Sequence, residues 1–346
     1  MRALVTGASG FVGTRLLAAL RAGRHTARAL VRPGRATTAS DAWLTWLHGD
    51  VTVVDSLHEA ARSCDVVFHC AHGGDDAAAA HRINVQGTLN VLEAARTARI
   101  QRVVHVSTWR VHGRALPALV HEELPLVRRG LTYDVSKAEA ERAARVFSVR
   151  HGIELVVLRP TLVYGPGSQP WINELVDRLK YERLLLIGKG ALPANVVYVD
   201  DLVRAMLQAA ASREAAGGVF LISGEGPVSW RDYLEHLCVL LGRELPPSVP
   251  AWAARGLAAA ELWRYRLTRR PPRLLPGDLG LFGERCSVST EKARRLLGWQ
   301  PTVDLERGMA AVGERLRAEG RIAAASEDPS TTGATAFPSW VSLRAG

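Results

Sequence analysis

Short apolar runs alternate with amphipathic stretches along the first half of the chain. Apolar runs bounded by turn residues predict buried strands, and apolar residues three and four positions apart predict the helices between them. The predicted strands are 3–6, 26–31, 45–47, 65–70, 102–107 and 155–158, and the predicted helices are 11–22, 54–63, 78–98 and 132–150. Strands that alternate with helices at this spacing form a parallel sheet covered by helices. We therefore predict an α/β fold with a doubly wound parallel sheet of the Rossmann type.

The pattern becomes less regular after the sixth predicted strand. We expect residues 1–165 to form the Rossmann core and residues 166–320 a smaller C-terminal substrate-binding lobe, with elements around 196–222 returning to the core. Residues 321–346 are rich in Ser, Thr, Asp, Pro and Gly, which predicts a flexible tail. Segment 250–267 is rich in Ala, Leu and Trp but short and interrupted by charge. We predict a core-facing or lid helix there and not a membrane anchor.

Composition limits the partners and the compartment. The formal net charge is +10, yet the basic residues are spread along the chain and nearly all are arginine. This distribution indicates a coding bias rather than a face for nucleic acid. No apolar run is long enough to span a bilayer, and no signal peptide precedes the first strand. Because the four cysteines are scattered without metal-ligand spacing, we predict a cytoplasmic protein with no metal site.

A glycine motif lies at the turn from the first strand into the first helix. Gly7 permits the tight turn, Gly10 lets the backbone approach a pyrophosphate, and Gly13 lets the helix pack closely on the strand. The helix N-terminus then directs free N–H groups and a partial positive charge at the phosphates. A plain strand-to-helix turn is the alternative to a dinucleotide site. The predicted cofactor contacts here are Gly7, Ser9, Gly10, Phe11, Val12 and Gly13.

The end of the second strand bears on the choice of cofactor. Dinucleotide folds usually carry an acid there to bind the ribose hydroxyls, whereas this chain has Val31-Arg32 followed by a turn. A guanidinium can hold a 2′-phosphate. We therefore predict that Arg32 favours NADP over NAD, with Arg35 close enough in sequence to help. The alternative is that Arg32 is only an exposed turn residue.

Tyr133 and Lys137 lie four positions apart in a predicted helix, so their side chains share one face. A phenol with an ordinary pKa of about 10 is a weak base at neutral pH. A neighbouring ammonium and an oxidised nicotinamide would lower that pKa, and the tyrosine would then exchange a proton with an alcohol or carbonyl. We predict Tyr133 as this acid or base, and Lys137 as its partner and as a ligand of the nicotinamide ribose. Two ordinary surface residues are the alternative.

Hydroxyl groups follow the fifth predicted strand at Ser107 and Thr108. Ligands bind at the carboxyl ends of the strands in sheets of this kind. A hydroxyl there can bond a substrate oxygen and polarise it. We predict this role for Thr108, with Ser107 as the second candidate; capping of the strand end is the alternative for both.

Together these motifs resemble those of the extended short-chain dehydrogenase/reductases, the NAD-dependent epimerase/dehydratase superfamily, over residues 2–317. The further matching motifs are Gly49-Asp50, Asn84-Val-Gln-Gly-Thr88, Arg159-Pro160, Tyr164-Gly165-Pro166, Val199-Asp200-Asp201 and Leu297-Gly-Trp-Gln-Pro301.

The resemblance implies further contacts and an oligomeric state. It implies that Asp50 and Val51 contact adenine, that Ala71 lines the nucleotide and that Pro160 frames the nicotinamide. It also implies the catalytic roles given above. Because many relatives dimerise through the helix that carries the catalytic tyrosine, we expect a homodimer.

Departures from the family pattern narrow the substrate. Trp109-Arg110 stands where 4,6-dehydratases usually carry an Asp-Glu pair, which argues against that activity. Sugar-nucleotide epimerases tend to carry a diphosphate-binding Arg shortly before the Val-Asp-Asp motif, where this chain has Ala194-Asn195. Residues 29–33, Asn195 and the helix after Pro250 instead resemble dihydroflavonol reductases and 3β-hydroxysteroid dehydrogenases.

We therefore expect an oxidoreductase that transfers hydride between nicotinamide and a secondary alcohol or ketone of a fairly apolar small molecule. The rival is a sugar or nucleotide-sugar 4-epimerase with the same Thr/Tyr/Lys set. A non-catalytic NAD(P)-sensing binder is a third interpretation, against which the intact set argues. The predicted substrate contacts are His72, Trp109, Tyr164 and Asn195, with packing as the alternative role for His72 and Trp109.

Overall fold

The computed structural model describes residues 1–34, 40–73, 76–269 and 271–323, so Arg35 and most of the predicted tail lie outside the described residues. The chain divides into two compact units. The first comprises residues 1–161, 199–224 and 288–302, and the second comprises residues 162–198, 225–287 and 303–346.

The first unit is built on a seven-stranded sheet. Its strands are β1 (Arg2–Thr6), β2 (Thr26–Val31), β3 (Leu44–His48), β4 (Val66–His69), β5 (Arg102–Val106), β6 (Glu154–Pro160) and β7 (Val219–Ile222). Their order is β3-β2-β1-β4-β5-β6-β7, and all neighbouring pairs are parallel. The order reverses between β1 and β4, which is where open α/β sheets bind ligands. The predicted doubly wound parallel sheet is confirmed.

Helices connect these strands. Their bounds are Phe11–Ala22, Val54–Ala61, Ala77–Ala80, Gly87–Thr97, Thr132–His151, Val199–Ala211 and Glu291–Leu297. A π-helical turn at His81–Gln86 interrupts the predicted helix 78–98, and a 3₁₀ turn at Trp109–His112 follows β5. The remaining short strands are Leu119–Val120 in the first unit and Ser287–Val288, where the sequence passes from a segment of the second unit to a segment of the first.

The apolar core of the first unit explains why these runs form strands. All four residues of β4 are buried, as expected for a parallel strand covered on both faces. Leu4, Val67 and Val103 from neighbouring strands belong to one buried cluster with Leu57 and Leu92 from the helices. The same burial fixes the carboxyl ends of β1, β4 and β5 side by side, because their register is set by this packing.

The Val199-Asp200-Asp201 and Leu297-Gly-Trp-Gln-Pro301 motifs hold the later segments of the first unit in place through hydrogen bonds and an ion pair. Asp201 is fully buried and accepts hydrogen bonds from the Thr302 backbone N–H (3.1 Å) and hydroxyl (3.0 Å). The Trp299 indole N–H donates to the Asp201 carbonyl at 2.9 Å. The neighbouring Asp200 binds Arg15 of the first helix, with Nε 2.7 Å from Oδ1. These motifs therefore have a structural role within the first unit.

The second unit is mainly helical. Its helices are Glu174–Lys180, Trp230–Leu241, Ala251–Thr268, Pro276–Phe282 and Leu305–Ala318, with a π-helical turn at Gln169–Asn173. Its short strands are Leu162–Tyr164, Leu186–Ile187, Val196–Tyr198 and Ser248–Val249, which pair in two parallel ribbons. Arg178 and Asp278 form a largely buried ion pair between two of its helices at 2.6 Å.

The Ala251–Thr268 helix corrects one expectation. Only Ala254 and Ala258 are buried among its described side chains, whereas Trp252 is 86% exposed and Trp263 is 64% exposed. The core-facing alternative is wrong for the tryptophans, because the small alanines form the packed face, and the lid alternative stays a prediction.

Candidate active site

The turn between β1 and the first helix forms a cradle for phosphate groups. Gly7 has a φ of +69°, and a Cβ there would lie 2.7 Å from the backbone nitrogen of Ala71 at the end of β4. A Cβ on Gly13 would lie 2.2 Å from the Gly7 carbonyl oxygen. Larger residues therefore fit at neither position, which agrees with the predicted tight turn at Gly7 and the predicted close packing of the helix at Gly13.

The helix that starts at Phe11 leaves its N-terminus available. Gly10 occupies the cap position, no side chain of the described residues caps the helix, and its first turn contains no acid. Ser9 and Gly10 are exposed, and Phe11 and Val12 are half-buried. Free N–H groups and the positive end of the helix dipole suit a pyrophosphate here. The residues present thus fit the phosphates of a dinucleotide.

The residues predicted to hold the adenosine and the nicotinamide lie at the strand ends. Arg32 directly follows β2 and is exposed, with no ion pair or hydrogen bond recorded among the described residues. Asp50 Oδ1 accepts from the Thr52 N–H and hydroxyl, both at 2.8 Å, so this carboxylate closes a turn after β3. Val51 is buried, and Pro160 is the buried last residue of β6. Their contacts with cofactor stay predictions.

Thr108 and Tyr133 form the centre of the site. The Thr108 hydroxyl accepts the Arg110 backbone N–H at 3.2 Å, and the Thr108 side chain is close enough to Tyr133 to lower the pKa of the phenol by hydrogen bonding. The structure thus brings together two of the three predicted catalytic groups.

Ser107 is engaged elsewhere. Its hydroxyl donates to Glu141 Oε2 at 2.9 Å, and the residue is buried. Of the two predicted hydroxyls, Thr108 is therefore the one beside the tyrosine.

Lys137 is buried one turn after Tyr133 on the same helix. It is 2% exposed, and its ammonium donates to the Val106 carbonyl, the last of β5, at 2.8 Å. Burial lowers the pKa of Lys137 to about 8, while the negative charge of Glu141 opposes this shift. The lysine therefore ties the helix to the strand that carries Thr108.

The pKa of Tyr133 departs from the expectation. We predicted that the lysine would lower it, but burial raises the pKa of Tyr133, and the hydrogen bond with Thr108 offsets this only in part. Tyr133 is 44% exposed, so solvent reaches part of its side chain. The phenol is thus protonated at neutral pH in this structure. Lys137 is not among the groups that lower the pKa of Tyr133, and its ammonium donates instead to the Val106 carbonyl.

A buried polar network lies beneath the catalytic helix. Arg159 (1% exposed) and Glu141 (0%) form an ion pair through both carboxylate oxygens. Arg159 Nη1 also donates to the Glu122 carbonyl at 2.8 Å and to His112 Nε2 at 3.0 Å. Because His112 Nδ1 faces the Pro125 carbonyl at 3.2 Å, it carries the proton and the ring is neutral. Burial lowers the pKa of His112, which agrees with this state.

Asn84 joins the end of β4 to the catalytic helix. Its amide exchanges two hydrogen bonds with the Gly73 backbone, both at 3.1 Å, and donates to Ser136 Oγ at 3.0 Å. Ser136 in turn donates to the Tyr133 carbonyl at 3.1 Å. This chain of bonds holds His72 beside the tyrosine, with ring centroids 6.4 Å apart in an edge arrangement. His72 therefore lies beside Tyr133, and its contact with substrate stays a prediction.

Two histidines stack under the site. The His69 and His105 rings lie 5.1 Å apart, and both residues are 1% exposed. His69 is bonded at both nitrogens, to Thr6 Oγ1 (2.7 Å) and Thr88 Oγ1 (3.0 Å). Neither ring nitrogen of His105 has a partner among the described residues. Burial lowers the pKa of His69 to about 3 and the pKa of His105 well below its ordinary value, so both rings are neutral.

The other predicted substrate residues have packing roles. Trp109 is 1% exposed, and the Arg110 guanidinium lies 4.5 Å from its ring centroid. Tyr164 is 2% exposed and packs edge-on against Tyr198 and Tyr233 within the second unit. Asn195, at a φ of +46°, donates to the Cys286 carbonyl at 3.0 Å. Burial and internal bonding leave substrate contacts by Trp109 and Tyr164 without structural support.

Sequence reasoning missed Glu141, Arg159, Asn84 and His105 as parts of the site. Glu141 lies four positions after Lys137 and eight after Tyr133, so helical spacing was the available signal. No three His, Cys, Asp or Glu side chains of the described ranges come together as metal ligands.

Comparisons with known proteins agree with this geometry. The model of the NAD dependent epimerase/dehydratase family matches residues 3–223. The chain is 34% identical over 321 residues to 4-hydroxy-2-methyl-3-oxo-4-farnesyl-3,4-dihydroquinoline-1-oxide ketoreductase from Stigmatella aurantiaca, covering 90% of this chain and 96% of that protein. It is 30% identical over 329 residues to 2-alkyl-3-oxoalkanoate reductase from Stenotrophomonas maltophilia, covering 89% and 97%.

Solved structures give the same assignment. The fold is similar to that of MoeE5 in complex with UDP-glucuronic acid and NAD, with a TM-score of 0.72, 27% identity, and coverage of 92% of this chain and 100% of that chain. The resemblance predicted from the sequence is confirmed. The chain belongs to the NAD dependent epimerase/dehydratase family and is an NAD(P)-dependent oxidoreductase or epimerase of the extended short-chain dehydrogenase/reductase type.

Proposed function

We propose that the protein reduces the ketone of a fairly apolar small molecule, with Tyr133 as the proton donor. The observation that carries this proposal is the placement of the Thr108 hydroxyl beside Tyr133 after the carboxyl end of β5, where the pKa of the phenol is raised above its ordinary value and the phenol keeps its proton at neutral pH. A protonated phenol is the form that gives a proton to a carbonyl oxygen. The similarity to two ketone-reducing relatives supports the same direction.

The chain's own groups account for the proton transfer. A carbonyl oxygen beside both hydroxyls accepts a hydrogen bond from Thr108 and one from Tyr133, which polarises the carbonyl. A bound nicotinamide cofactor supplies the hydride to the carbonyl carbon. As the carbon is reduced, the Tyr133 Oη proton moves to the oxygen, and an alcohol forms. Lys137 and Asn84 act through position, because they tie the tyrosine helix to the ends of β5 and β4.

We propose a preference for NADP because Arg32 follows β2 where an acid would bind the ribose of NAD. A charge-assisted contact with a 2′-phosphate contributes about 1.5–3 kcal/mol, or roughly ten- to a hundredfold in affinity. Side-by-side titrations of both cofactors test this. Arg32→Asp should abolish the preference, and an unchanged ratio of affinities would contradict the role of Arg32.

The substrate class has a direct test. NADPH consumption is measured with a panel of cyclic and acyclic apolar ketones, and epimerisation is measured separately with UDP-glucose and NAD. We expect turnover of ketones and no tight binding of UDP-hexoses, because Ala194 stands where the diphosphate arginine is expected. The structural likeness to a protein bound to UDP-glucuronic acid and NAD favours the epimerase as second candidate. Micromolar binding of a UDP-hexose without ketone reduction would establish it.

We also propose a homodimer in the cytoplasm. Val146 and Val149 are 70% and 87% exposed on one face of the Thr132–His151 helix, and such an apolar face suits a second copy. Sedimentation equilibrium of Val149→Asp should give a monomer if this face is the interface. All four cysteines are free, which suits a reducing compartment; cell fractionation tests the location.

A further inference from the structure

The Ala251–Thr268 helix carries an apolar stripe on its outer side. Trp252, Trp263 and Leu267 are 86%, 64% and 64% exposed. Trp263 and Leu267 lie 11 and 15 positions after Trp252, which is about three and four helical turns, so the three residues share one face. We call these three residues the tryptophan stripe. Exposed apolar clusters of this kind mark interaction sites, because the transfer of apolar surface out of water lowers the free energy.

The stripe is part of an anchored helix. Ala254 and Ala258 on the opposite side are buried. Glu261 Oε2 accepts the Arg273 backbone N–H at 2.9 Å, which ties the helix to the segment that follows it. The tryptophans are therefore held outward by packing of the inner face.

Exposed arginines border the stripe. Arg255 and Arg266 are exposed and also lie 11 positions apart, so they form a parallel row on one edge of the stripe. Glu261 is the one acid in the helix sequence, and Arg264 neutralises it at 2.6 Å. The outer side thus combines tryptophan, leucine and two arginines that pair with no acid of the described residues.

We propose that the tryptophan stripe docks the protein on the surface of an anionic phospholipid bilayer. Interfacial helices carry Trp and Leu on one side with Arg beside them, and indole rings favour the headgroup level. The arginines attract anionic headgroups. The association is peripheral, since none of the helices in the described part of the chain has the length and apolar content to cross a membrane. It reverses the expectation from the sequence that segment 250–267 is not a membrane anchor, because the structure exposes the tryptophans that this expectation placed in the core.

Charge argues for this occupant over a second copy of the chain. A contact between two copies of the stripe would bring Arg255 and Arg266 of both copies together, and like charges repel. Anionic lipid neutralises the same arginines. The inference stands apart from the proposed function, because membrane binding is measured without substrate or turnover.

Vesicle sedimentation of the full chain tests the proposal. The vesicles are phosphatidylcholine alone, or phosphatidylcholine and phosphatidylglycerol in equal parts. We expect binding to the mixed vesicles that weakens at higher salt. Arg255→Gln and Arg266→Gln should each weaken binding by about fivefold. The double variant Trp252→Ser, Trp263→Ser should weaken it by about a hundredfold.

Matched variants control for charge and aromaticity elsewhere. Arg62→Gln and Arg307→Gln remove exposed arginines, and Tyr181→Ser removes a 65% exposed aromatic residue. Each should change binding by less than about twofold, because none belongs to the stripe. Thermal unfolding checks that all variants fold.

Three results would overturn the proposal. The first is the absence of wild-type binding to the mixed vesicles. The second is equal binding by the double tryptophan variant. The third is equal binding to vesicles with and without phosphatidylglycerol, unaffected by the arginine variants. Sedimentation equilibrium identifies the rival occupant: loss of a dimer in the tryptophan variant, without lipid binding by the wild type, would assign the stripe to a second copy.

Discussion

The buried pair of Arg159 and Glu141 offers a quantitative test of how the catalytic helix is held. The two side chains are 1% and 0% exposed. In Arg159→Met, the Ser107 hydroxyl, which donates at 2.9 Å, is the one hydrogen-bond donor that the Glu141 carboxylate keeps among the described residues. Removing one partner of a buried ion pair costs about 3–5 kcal/mol, because the remaining charge is buried without compensation. This is a large fraction of the about 5–15 kcal/mol that stabilises a typical protein.

The double variant Glu141→Leu, Arg159→Met separates the charge effect from the loss of packing. The double variant removes both charges. The neutral groups that bonded the pair, Ser107, His112 and the Glu122 carbonyl, then each lose a hydrogen bond that is worth about 1 kcal/mol. We therefore expect the double variant to be more stable than Arg159→Met alone. Urea unfolding without cofactor, followed by circular dichroism, gives the free energies of unfolding.

An exposed ion pair supplies the control. Arg315 and Glu319 are 58% and 32% exposed, and Arg315→Met should change stability by less than about 0.5 kcal/mol. If Arg159→Met costs no more than this control, or if the double variant is the less stable of the two, the buried pair does not hold the helix through charge compensation.

Three further predictions concern the groups around Tyr133. Burial lowers the pKa of Lys137 from 10.5 to about 8, so the native state releases this proton at lower pH than the unfolded chain. Stability therefore rises by about 3 kcal/mol between the two pKa values, and unfolding of Lys137→Met over that pH window should lack this rise. His105→Leu should raise the free energy of unfolding by about 1–3 kcal/mol, because it removes two buried nitrogens without partners among the described residues; a loss in urea unfolding would contradict this. Thr108→Ser should retain turnover and Thr108→Val should lose about a hundredfold; equal rates in steady-state assays would show that the hydroxyl is dispensable.

The sequence predicted the local architecture well because local patterns determine it. Apolar runs between turns gave strands such as Thr26–Val31, which has the bounds that the structure shows. The glycine motif and the Tyr133–Lys137 spacing depend on neighbouring residues, so they too were visible. The sequence favoured Thr108 over Ser107 but could not show why. Adjacent residues on an extended chain point to opposite sides, and only the position of Glu141 shows that the Ser107 hydroxyl faces away from Tyr133.

Long-range polar pairing explains what the sequence left open. The carbonyl that holds Lys137 belongs to Val106, 31 positions earlier. A register of strands and helices is needed to bring these atoms together, and no local pattern encodes it. The upward shift of the Tyr133 pKa comes from burial, which is likewise a property of the folded chain and not of a local pattern. The outward tryptophans were missed because the alanines that face inward are small, and hydrophobicity alone points the larger residues to the core.

The most direct test of the proposed chemistry is Tyr133→Phe. With the best ketone of the panel and NADPH, turnover should fall by about a hundredfold or more, because the proton donor is lost. The affinity for NADPH, measured by titration, should stay at the wild-type value, and Tyr181→Phe should have wild-type turnover as the matched control. Near-wild-type turnover in Tyr133→Phe would contradict the assignment of Tyr133 as the proton donor.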